Sequence, residues 1–170
     1  PLPDTSPKIT RVNPVTKYVH RFSLPNNWQE RQVILHFGGV SSAFYVWVNG
    51  HKVGYSQGSR LPAEFDVSQW LKPGDNQLAL QVMRWSDGSY LEGQDMWKLS
   101  GIHREVLLLS QPKIAIQDYF AKPKLLNNYQ QAELHIRPFL TVSDNELLKG
   151  WRLRANLFDD TQVSVLANPV

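Results

Sequence analysis

The 170-residue sequence contains no cysteine, and its longest apolar run is the six residues Ala43 to Val48. The absence of cysteine excludes a disulfide framework, a thiol nucleophile and any cysteine-ligated metal site. A run of six residues is too short to cross a bilayer, which takes roughly 20 residues in a helix. The five histidines lie at least fifteen positions apart, so they form no local zinc motif. The sequence also contains no glycine-rich phosphate loop and no G-x-S-x-G nucleophile motif.

Basic and acidic residues nearly balance, since 18 basic and 15 acidic residues give a net charge of +3. The basic residues are scattered with no run of three, so we expect neither a nucleic-acid partner nor a membrane partner. The sequence begins Pro-Leu-Pro without an initiator Met, and its first residues do not form a basic-then-apolar leader. We therefore expect a piece of a longer polypeptide without a signal peptide. A cytoplasmic location fits the lack of cysteine.

Alternation of apolar and polar residues with a period of two dominates from Lys17 onward and predicts short β-strands. The predicted strands are Lys17–Leu24, Val33–Phe37, Ala43–Val48, His51–Tyr55, Leu78–Val82, Glu105–Leu109, Ile114–Asp118, Leu134–Ile136, Leu153–Leu157 and Gln162–Leu166. The strand Ala43–Val48 is apolar on both faces, which predicts that both faces are covered. Asn49-Gly50 after it predicts a tight type I′ hairpin. Short helical turns are expected near Val67–Leu71 and Glu146–Lys149.

Strands at intervals of roughly ten residues, separated by turn signals, predict an all-β fold of antiparallel β-sandwiches. The break at Gln111-Pro112-Lys113 predicts a domain boundary, with one sandwich in residues 1–112 and a second in residues 113–170. The second segment supplies only four predicted strands, fewer than the seven of a complete immunoglobulin-type sandwich. We therefore expect the second domain to be incomplete.

The longest polar and irregular stretch is RWSDGSYLEGQDMWKLSGIHR, residues 84–104, between two predicted strands. Long loops on a rigid β-scaffold commonly carry binding function. This loop contains three carboxylates and three aromatic rings, namely Asp87, Glu92, Asp95, Trp85, Tyr90 and Trp97. Carboxylates accept bidentate hydrogen bonds from vicinal hydroxyls, and aromatic faces cover the C–H face of a pyranose. The composition therefore suits a sugar ligand.

The same loop also allows a structural interpretation. Its aromatic rings could fill the top of the core, while its carboxylates are solvated or pair with Arg84, Lys98 or Arg104. A glycosidase pair within the loop would need two carboxyls facing each other across the scissile bond, and the spacing does not predict that arrangement. Residues 54–65, GYSQGSRLPAEF, are interpreted as a structural connection in which Arg60 and Glu64 could pair.

The segments GVSSAFYVWVNGHKVGYSQGSRLPAEFDVS and LKPGDNQLALQVMRWSDGSYLEGQDMWKLSGIHREV resemble the sugar-binding, jelly-roll-type domain of family 2 glycoside hydrolases. Within that family they are most similar to the large bacterial β-galactosidases. The resemblance extends from about Tyr18 to Leu109, and the segment SDGSYLEGQDMWKLSGI is specific to that branch. Residues 114–170 resemble the beginning of the immunoglobulin-like domain that follows in the family.

This resemblance implies a retaining β-galactosidase that hydrolyses lactose and related β-D-galactosides through a covalent galactosyl-enzyme, using two glutamates. It places both glutamates in a TIM barrel outside these 170 residues, so we expect no catalytic residue in this chain and no hydrolysis by the chain alone. The chain would contribute one edge of the substrate pocket and the scaffold of that edge. The resemblance also implies a homo-oligomer.

The resemblance assigns roles to individual loop residues. Asp95, in the QDMW string, would contact galactosyl hydroxyls and help ligate a sodium ion, with Trp85 and Trp97 supporting the loop. Asp87 and Gln57 match positions that help hold a peripheral magnesium ion in some members. Two other functions stay open: a free-standing carbohydrate-binding β-sandwich module with its own sugar site, and a structural domain whose surface serves subunit contacts.

Overall fold

The computed structural model describes residues 12–93, 95, 97, 99–142, 148–167 and 170. The chain divides into two compact units, Pro1–Pro112 and Lys113–Val170. The elements of the first unit are β1 Val15–Leu24, β2 Gln32–Phe37, β3 Val40–Ser41, β4 Ala43–Val48, β5 His51–Gln57, β6 Ala63–Asp66, β7 Gly74–Met83, α1 Gly88–Leu91, β8 Gly101–Ile102 and β9 Val106–Gln111, with 3₁₀ turns at Asn26–Trp28 and Ser68–Trp70. The second unit contains β10 Ile114–Leu126 and β11 Gln131–Val142.

The first unit is built from two antiparallel sheets and one short ladder. The larger sheet has the strand order β1-β7-β4-β5, and the smaller has the order β6-β2-β9. The two-residue strands β3 and β8 form the ladder at the foot of the long loop. The predicted all-β class with antiparallel pairing is confirmed.

One face of each sheet supplies the core of the first unit. Alternate residues of β2, β4 and β7 are buried together, namely Val33, Leu35, Phe37, Phe44, Val46, Val48, Leu78, Leu80 and Val82. Phe37 and Phe44 meet edge to face with ring centroids 4.9 Å apart, so an aromatic pair joins the two sheets. Burial on every second residue is what the period of two predicts.

The outer face of β4 differs from the prediction. Tyr45 and Trp47 are only half-buried, so β4 is covered fully on one face and not on both. Their rings pack on one another at 5.9 Å, and the Lys52 ammonium lies 4.2 Å from the Tyr45 ring centre. Aromatic side chains bury part of their apolar surface through such lateral contacts on a sheet. A run of apolar residues in the sequence does not distinguish these contacts from burial under a second layer.

The turn between β4 and β5 forms as predicted. Asn49 and Gly50 both have positive φ, at 51° and 84°, as a type I′ turn requires. The predicted helical turn near Val67–Leu71 is confirmed as the 3₁₀ turn Ser68–Trp70. The turn expected near Glu146–Lys149 lies partly outside the described residues. In the described part of the chain, no helix is both long and apolar enough to cross a membrane.

The second unit is a long antiparallel ribbon followed by irregular chain. Strands β10 and β11 pair from Ile114↔Val142 to Leu126↔Gln131, so both are much longer than the segments predicted from alternation. The strands expected at Leu153–Leu157 and Gln162–Leu166 do not form, and this region has the isolated bridge Phe158↔Ser164. The immunoglobulin-like assignment of this unit stays a prediction.

Candidate functional site

The long polar loop connects the end of β7 to β8 and begins with a well-anchored turn. The Asn13 side chain donates to the Trp85 carbonyl at 2.8 Å and accepts from the Trp85 N–H at 2.9 Å. The Asp87 carboxylate then accepts from the Gly88 N–H at 2.9 Å, which caps the single turn of α1. Trp85 is half-buried, with the Arg84 guanidinium 5.1 Å from its ring centre. The start of the loop is therefore fixed to the sheet.

Asp95 lies in a turn near the middle of this loop and is exposed. Its φ is +50°, in the left-handed region that aspartate and asparagine tolerate better than most residues with a Cβ. An exposed carboxylate on a loop can accept hydrogen bonds from a ligand or contribute an oxygen to a cation. The neighbouring positions Gln94, Met96 and Lys98 lie outside the described residues.

Trp97 does not brace the loop by packing, contrary to the expectation. Its side chain is 85% exposed. Its backbone carbonyl instead accepts a hydrogen bond of 3.0 Å from the Arg60 guanidinium. The expected pairing of Arg60 with Glu64 is therefore wrong, and Glu64 contacts the His36 imidazole at 2.8 Å. Sequence reasoning missed Arg60 as a contact of this loop.

A second contact joins the loop to the same turn. Both carboxylate oxygens of Glu92 lie near the backbone N–H of Ser59, at 3.3 and 3.4 Å. The Gly58–Leu61 turn is closed by a hydrogen bond from the Leu61 N–H to the Gly58 carbonyl at 3.2 Å. Glu92, which composition placed among candidate sugar ligands, thus binds the protein's own backbone.

A small cleft separates this turn from the loop. It is lined by Ser41, Ser42, Ser59, Arg60, Arg84, Trp85, Ser89, Glu92, Gly93, Trp97 and Leu99. Its cavity volume of about 30 Å³ matches one water molecule. Sites for small organic ligands have volumes on the order of several hundred Å³. The described residues of this cleft therefore do not enclose a sugar by themselves.

The two residues of the expected magnesium site share Tyr55 as a neighbour. The Tyr55 hydroxyl donates to Gln57 Oε1 at 2.7 Å. Burial raises the pKa of Tyr55, and the negative charge of Asp87 raises it further. The amide oxygen of Gln57 and the carboxylate of Asp87 are hard ligands of the kind that magnesium prefers, and magnesium commonly keeps several waters. Among the described residues, no group of three acidic, histidine or cysteine side chains could hold a metal ion.

The sequence matches a known domain family over most of its length. The family described as "Glycosyl hydrolases family 2, sugar binding domain" matches residues 1–112. That range covers the first structural unit, with both sheets and the long polar loop.

Three curated relatives carry the name β-galactosidase. The protein of Priestia megaterium is 48% identical over 161 residues, which covers 95% of this chain and 16% of the relative. That of Vibrio cholerae is 45% identical over 159 residues, with 94% and 15% covered. That of Yersinia enterocolitica is 41% identical over 177 residues, with 100% and 17% covered. The chain thus spans 15–17% of the length of these relatives.

Solved structures show the same fold at lower identity. A β-glucuronidase from an uncultured Clostridium matches with a TM-score of 0.73 and 23% identity, covering 89% of this chain and 27% of that one. A β-D-glucuronidase of Dictyoglomus thermophilum matches with a TM-score of 0.71 and 24% identity, covering 91% and 29%. At these identities the likeness concerns the fold alone.

Proposed function

The chain belongs to glycosyl hydrolase family 2, and we propose that it forms part of a retaining β-galactosidase that hydrolyses terminal β-D-galactosides such as lactose. The observation that carries this proposal is the 41–48% identity to proteins named β-galactosidase over 94–100% of the chain. Within the parent enzyme this chain supplies a substrate-binding loop and its scaffold. The two catalytic glutamates lie in a TIM barrel elsewhere in the parent chain, and the 170 residues alone do not hydrolyse galactosides.

Asp95 binds substrate in this proposal. Its exposed carboxylate accepts hydrogen bonds from galactosyl hydroxyls. The same carboxylate would help ligate sodium, with the remaining ligands supplied by the barrel, and the ion would supply positive charge that attracts the oxygen atoms of a bound sugar. The 30 Å³ cleft supports a pocket completed by other parts of the parent enzyme, because it is too small to hold a sugar.

Gln57 and Asp87 form part of a peripheral magnesium site. Their oxygens suit a hard divalent cation, and their shared neighbour Tyr55 supports their proximity. Bound magnesium would stabilise the start of the loop, because Asp87 caps α1 there. The proposal also includes a homo-oligomeric, cytoplasmic parent enzyme, which native mass and cell fractionation of the full-length protein would check.

The test is Asp95→Asn in the full-length enzyme. Asparagine keeps the shape and tolerates the positive φ, but it removes the charge that strengthens hydrogen bonds to hydroxyls and attracts sodium. We expect kcat/KM for a galactoside to fall at least about tenfold, the usual effect of losing a charged hydrogen-bond partner. The response to sodium should weaken in parallel. Asp160→Asn removes the same charge from an exposed position in the second unit and should change neither.

Two outcomes would contradict the proposal. Unchanged turnover and sodium dependence in Asp95→Asn would remove Asp95 from the site. Millimolar or tighter galactose binding by the isolated 170-residue chain, measured by calorimetry, would favour a self-contained carbohydrate-binding module. For magnesium, Asp87→Asn should weaken the dependence of thermal stability on added magnesium, and an unchanged dependence would refute that site.

A further inference from the structure

Among the described residues of the loop that carries Asp95, three apolar side chains are largely exposed. Leu91 and Trp97 are each 85% exposed, and Leu99 is 68% exposed. Exposed loops with few buried contacts open at low free-energy cost. If the carboxylate of Asp95 is to meet a ligand in a fixed orientation, something other than the apolar core must hold the loop in place.

Hydrogen bonds from one short turn fulfil this role on both sides of Asp95. The backbone of Ser59 contacts Glu92, three residues before Asp95, at 3.3 and 3.4 Å. The guanidinium of Arg60 contacts the carbonyl of Trp97, two residues after Asp95, at 3.0 Å. Two adjacent residues of the Gly58–Leu61 turn therefore fix both ends of the segment that contains Asp95.

The turn itself is anchored to the sandwich. Ser59 is 6% exposed, so its backbone is part of the buried structure. The Arg104 guanidinium donates to the Arg60 carbonyl at 3.2 Å and to the Gly38 carbonyl at 3.3 Å, which ties the turn to the end of β2. A contact to this turn is therefore a contact to the rigid part of the unit.

We propose that Arg60 and Glu92 are positioning residues that set the affinity of the parent enzyme for galactoside and sodium by fixing the segment around Asp95. This inference rests on the proposed role of Asp95. Neither side chain touches substrate. Their contribution is preorganisation, because a loop that is already ordered loses less entropy when ligand binds.

The experiment uses full-length enzyme with Arg60→Ala, Arg60→Lys, Glu92→Ala and Glu92→Gln. Each alanine variant should raise KM for a galactoside, and the half-saturating sodium concentration, roughly 2- to 10-fold, the effect of losing one hydrogen bond. In both, kcat should change less than KM, because the reacting groups lie elsewhere. Lysine keeps a donor and glutamine keeps an acceptor oxygen, so these variants should recover part of the affinity. Arg21→Ala, on exposed β1, is the matched control and should change neither quantity.

Hydrogen exchange of the peptide around residues 92–97 gives a second readout. In Arg60→Ala the amides of this peptide should exchange faster, while those of β4 and β7 stay protected. Asp95→Asn is measured in parallel. If Asp95→Asn alters KM and sodium dependence but Arg60→Ala and Glu92→Ala do not, the positioning role is overturned and the role of Asp95 survives. If Asp95→Asn alters neither, the proposed role of Asp95 fails, and the positioning role fails with it.

Discussion

Asp66 shows how neighbouring hydrogen-bond donors lower the pKa of a carboxylate in this fold. Its two oxygens accept from the Ser68 hydroxyl at 2.6 Å, the Ser68 N–H at 3.0 Å and the Gln32 side chain at 2.8 Å. Partial burial by itself would raise the pKa of Asp66, but these donors outweigh burial and hold the pKa below its ordinary value of 3.8. The carboxylate thereby joins the end of β6 to the following 3₁₀ turn.

Asp66 gives the fold a pH-dependent stability. Since the folded-state pKa is lower than the unfolded one, the stabilisation is complete above pH values near 4 and is lost as pH falls through the folded-state pKa. We expect Asp66→Asn to lower the free energy of unfolding at pH 7 by about 0.5 to 1 kcal/mol, since solvent screens this exposed carboxylate. Urea unfolding at pH 7 and pH 3 checks this. A loss of equal size at both pH values would contradict the charge-based explanation, and Asp160→Asn is the control.

The motif that resembles the family predicted a site role for Asp95, which stays a prediction, but it gave no role to Arg60. Their opposite charges, close together in the connection of residues 54–65, suggested that Arg60 could pair with Glu64. Here the chain is extended and enters β6, where Glu64 lies opposite His36 on β2. In a sheet the partner of a side chain lies across the strands, often far away in sequence. Arg60 therefore contacts a residue 37 positions away, which no local pattern could reveal.

Between elements, two asparagine side chains connect the ends of the β4–β5 turn, the second 3₁₀ turn and β7. Asn49 donates to the Trp70 carbonyl and to Asn76 Oδ1, both at 2.8 Å, and accepts from the Gln77 N–H. Asn76 is 2% exposed and donates to the carbonyls of Lys72 and Gly74 at 2.8 Å. Backbone groups of the second 3₁₀ turn, of the following turn at Lys72 and Gly74, and of β7 thus find their partners in these two amides.

Removing the side-chain amide of Asn76 should lower the free energy of unfolding much more than removing an exposed side-chain amide. Asn76 Oδ1 also accepts from the Lys72 N–H at 3.0 Å. Asn76→Ala leaves this N–H and the carbonyls of Lys72 and Gly74 without their partner, so we expect a loss of about 2–3 kcal/mol in the free energy of unfolding. Urea denaturation of the dilute chain, followed by tryptophan fluorescence, measures this loss. Asn27→Ala changes an exposed asparagine and should shift the midpoint little. Equal shifts in the two variants would show that the network does not stabilise the turns.

The sequence pattern predicted elements better where one face is buried than where neither is. In β2 and β7 the alternation of apolar and polar residues coincides with the alternation of buried and more exposed side chains. The positions of these strands were therefore predicted to within a few residues. In β10 and β11 most side chains are exposed, so no apolar period marks how far the strands extend. Hydrogen-bonded pairing of β10 with β11 determines their length instead, and the composition of one strand does not predict this pairing.

For the whole molecule, the described surface leaves much apolar area uncovered. Between the edge strands β1 and β9 lies a groove of about 310 Å³ that reaches the core residues Leu35 and Leu78. On β9, Leu107 and Leu109 are 44% and 42% exposed. The ribbon of the second unit carries exposed Ile116, Tyr119, Phe120, Leu125, Leu134, Ile136, Phe139 and Leu140. Exposed apolar side chains and unpaired strand edges favour pairing with other chains.

The isolated 170-residue chain should therefore be marginally stable or self-associating. A two-stranded ribbon is marginal in water on its own, so amides of β10 and β11 should exchange with solvent well before those of β4 and β7. Sedimentation velocity across a concentration series should show assembly, and thermal melting should be broad and depend on concentration. The proposed full-length enzyme is the comparison, since other parts of such a parent chain would cover these surfaces. A monomeric chain with a sharp, concentration-independent melt would mean that the exposed strand edges and apolar side chains do not drive association of the isolated chain.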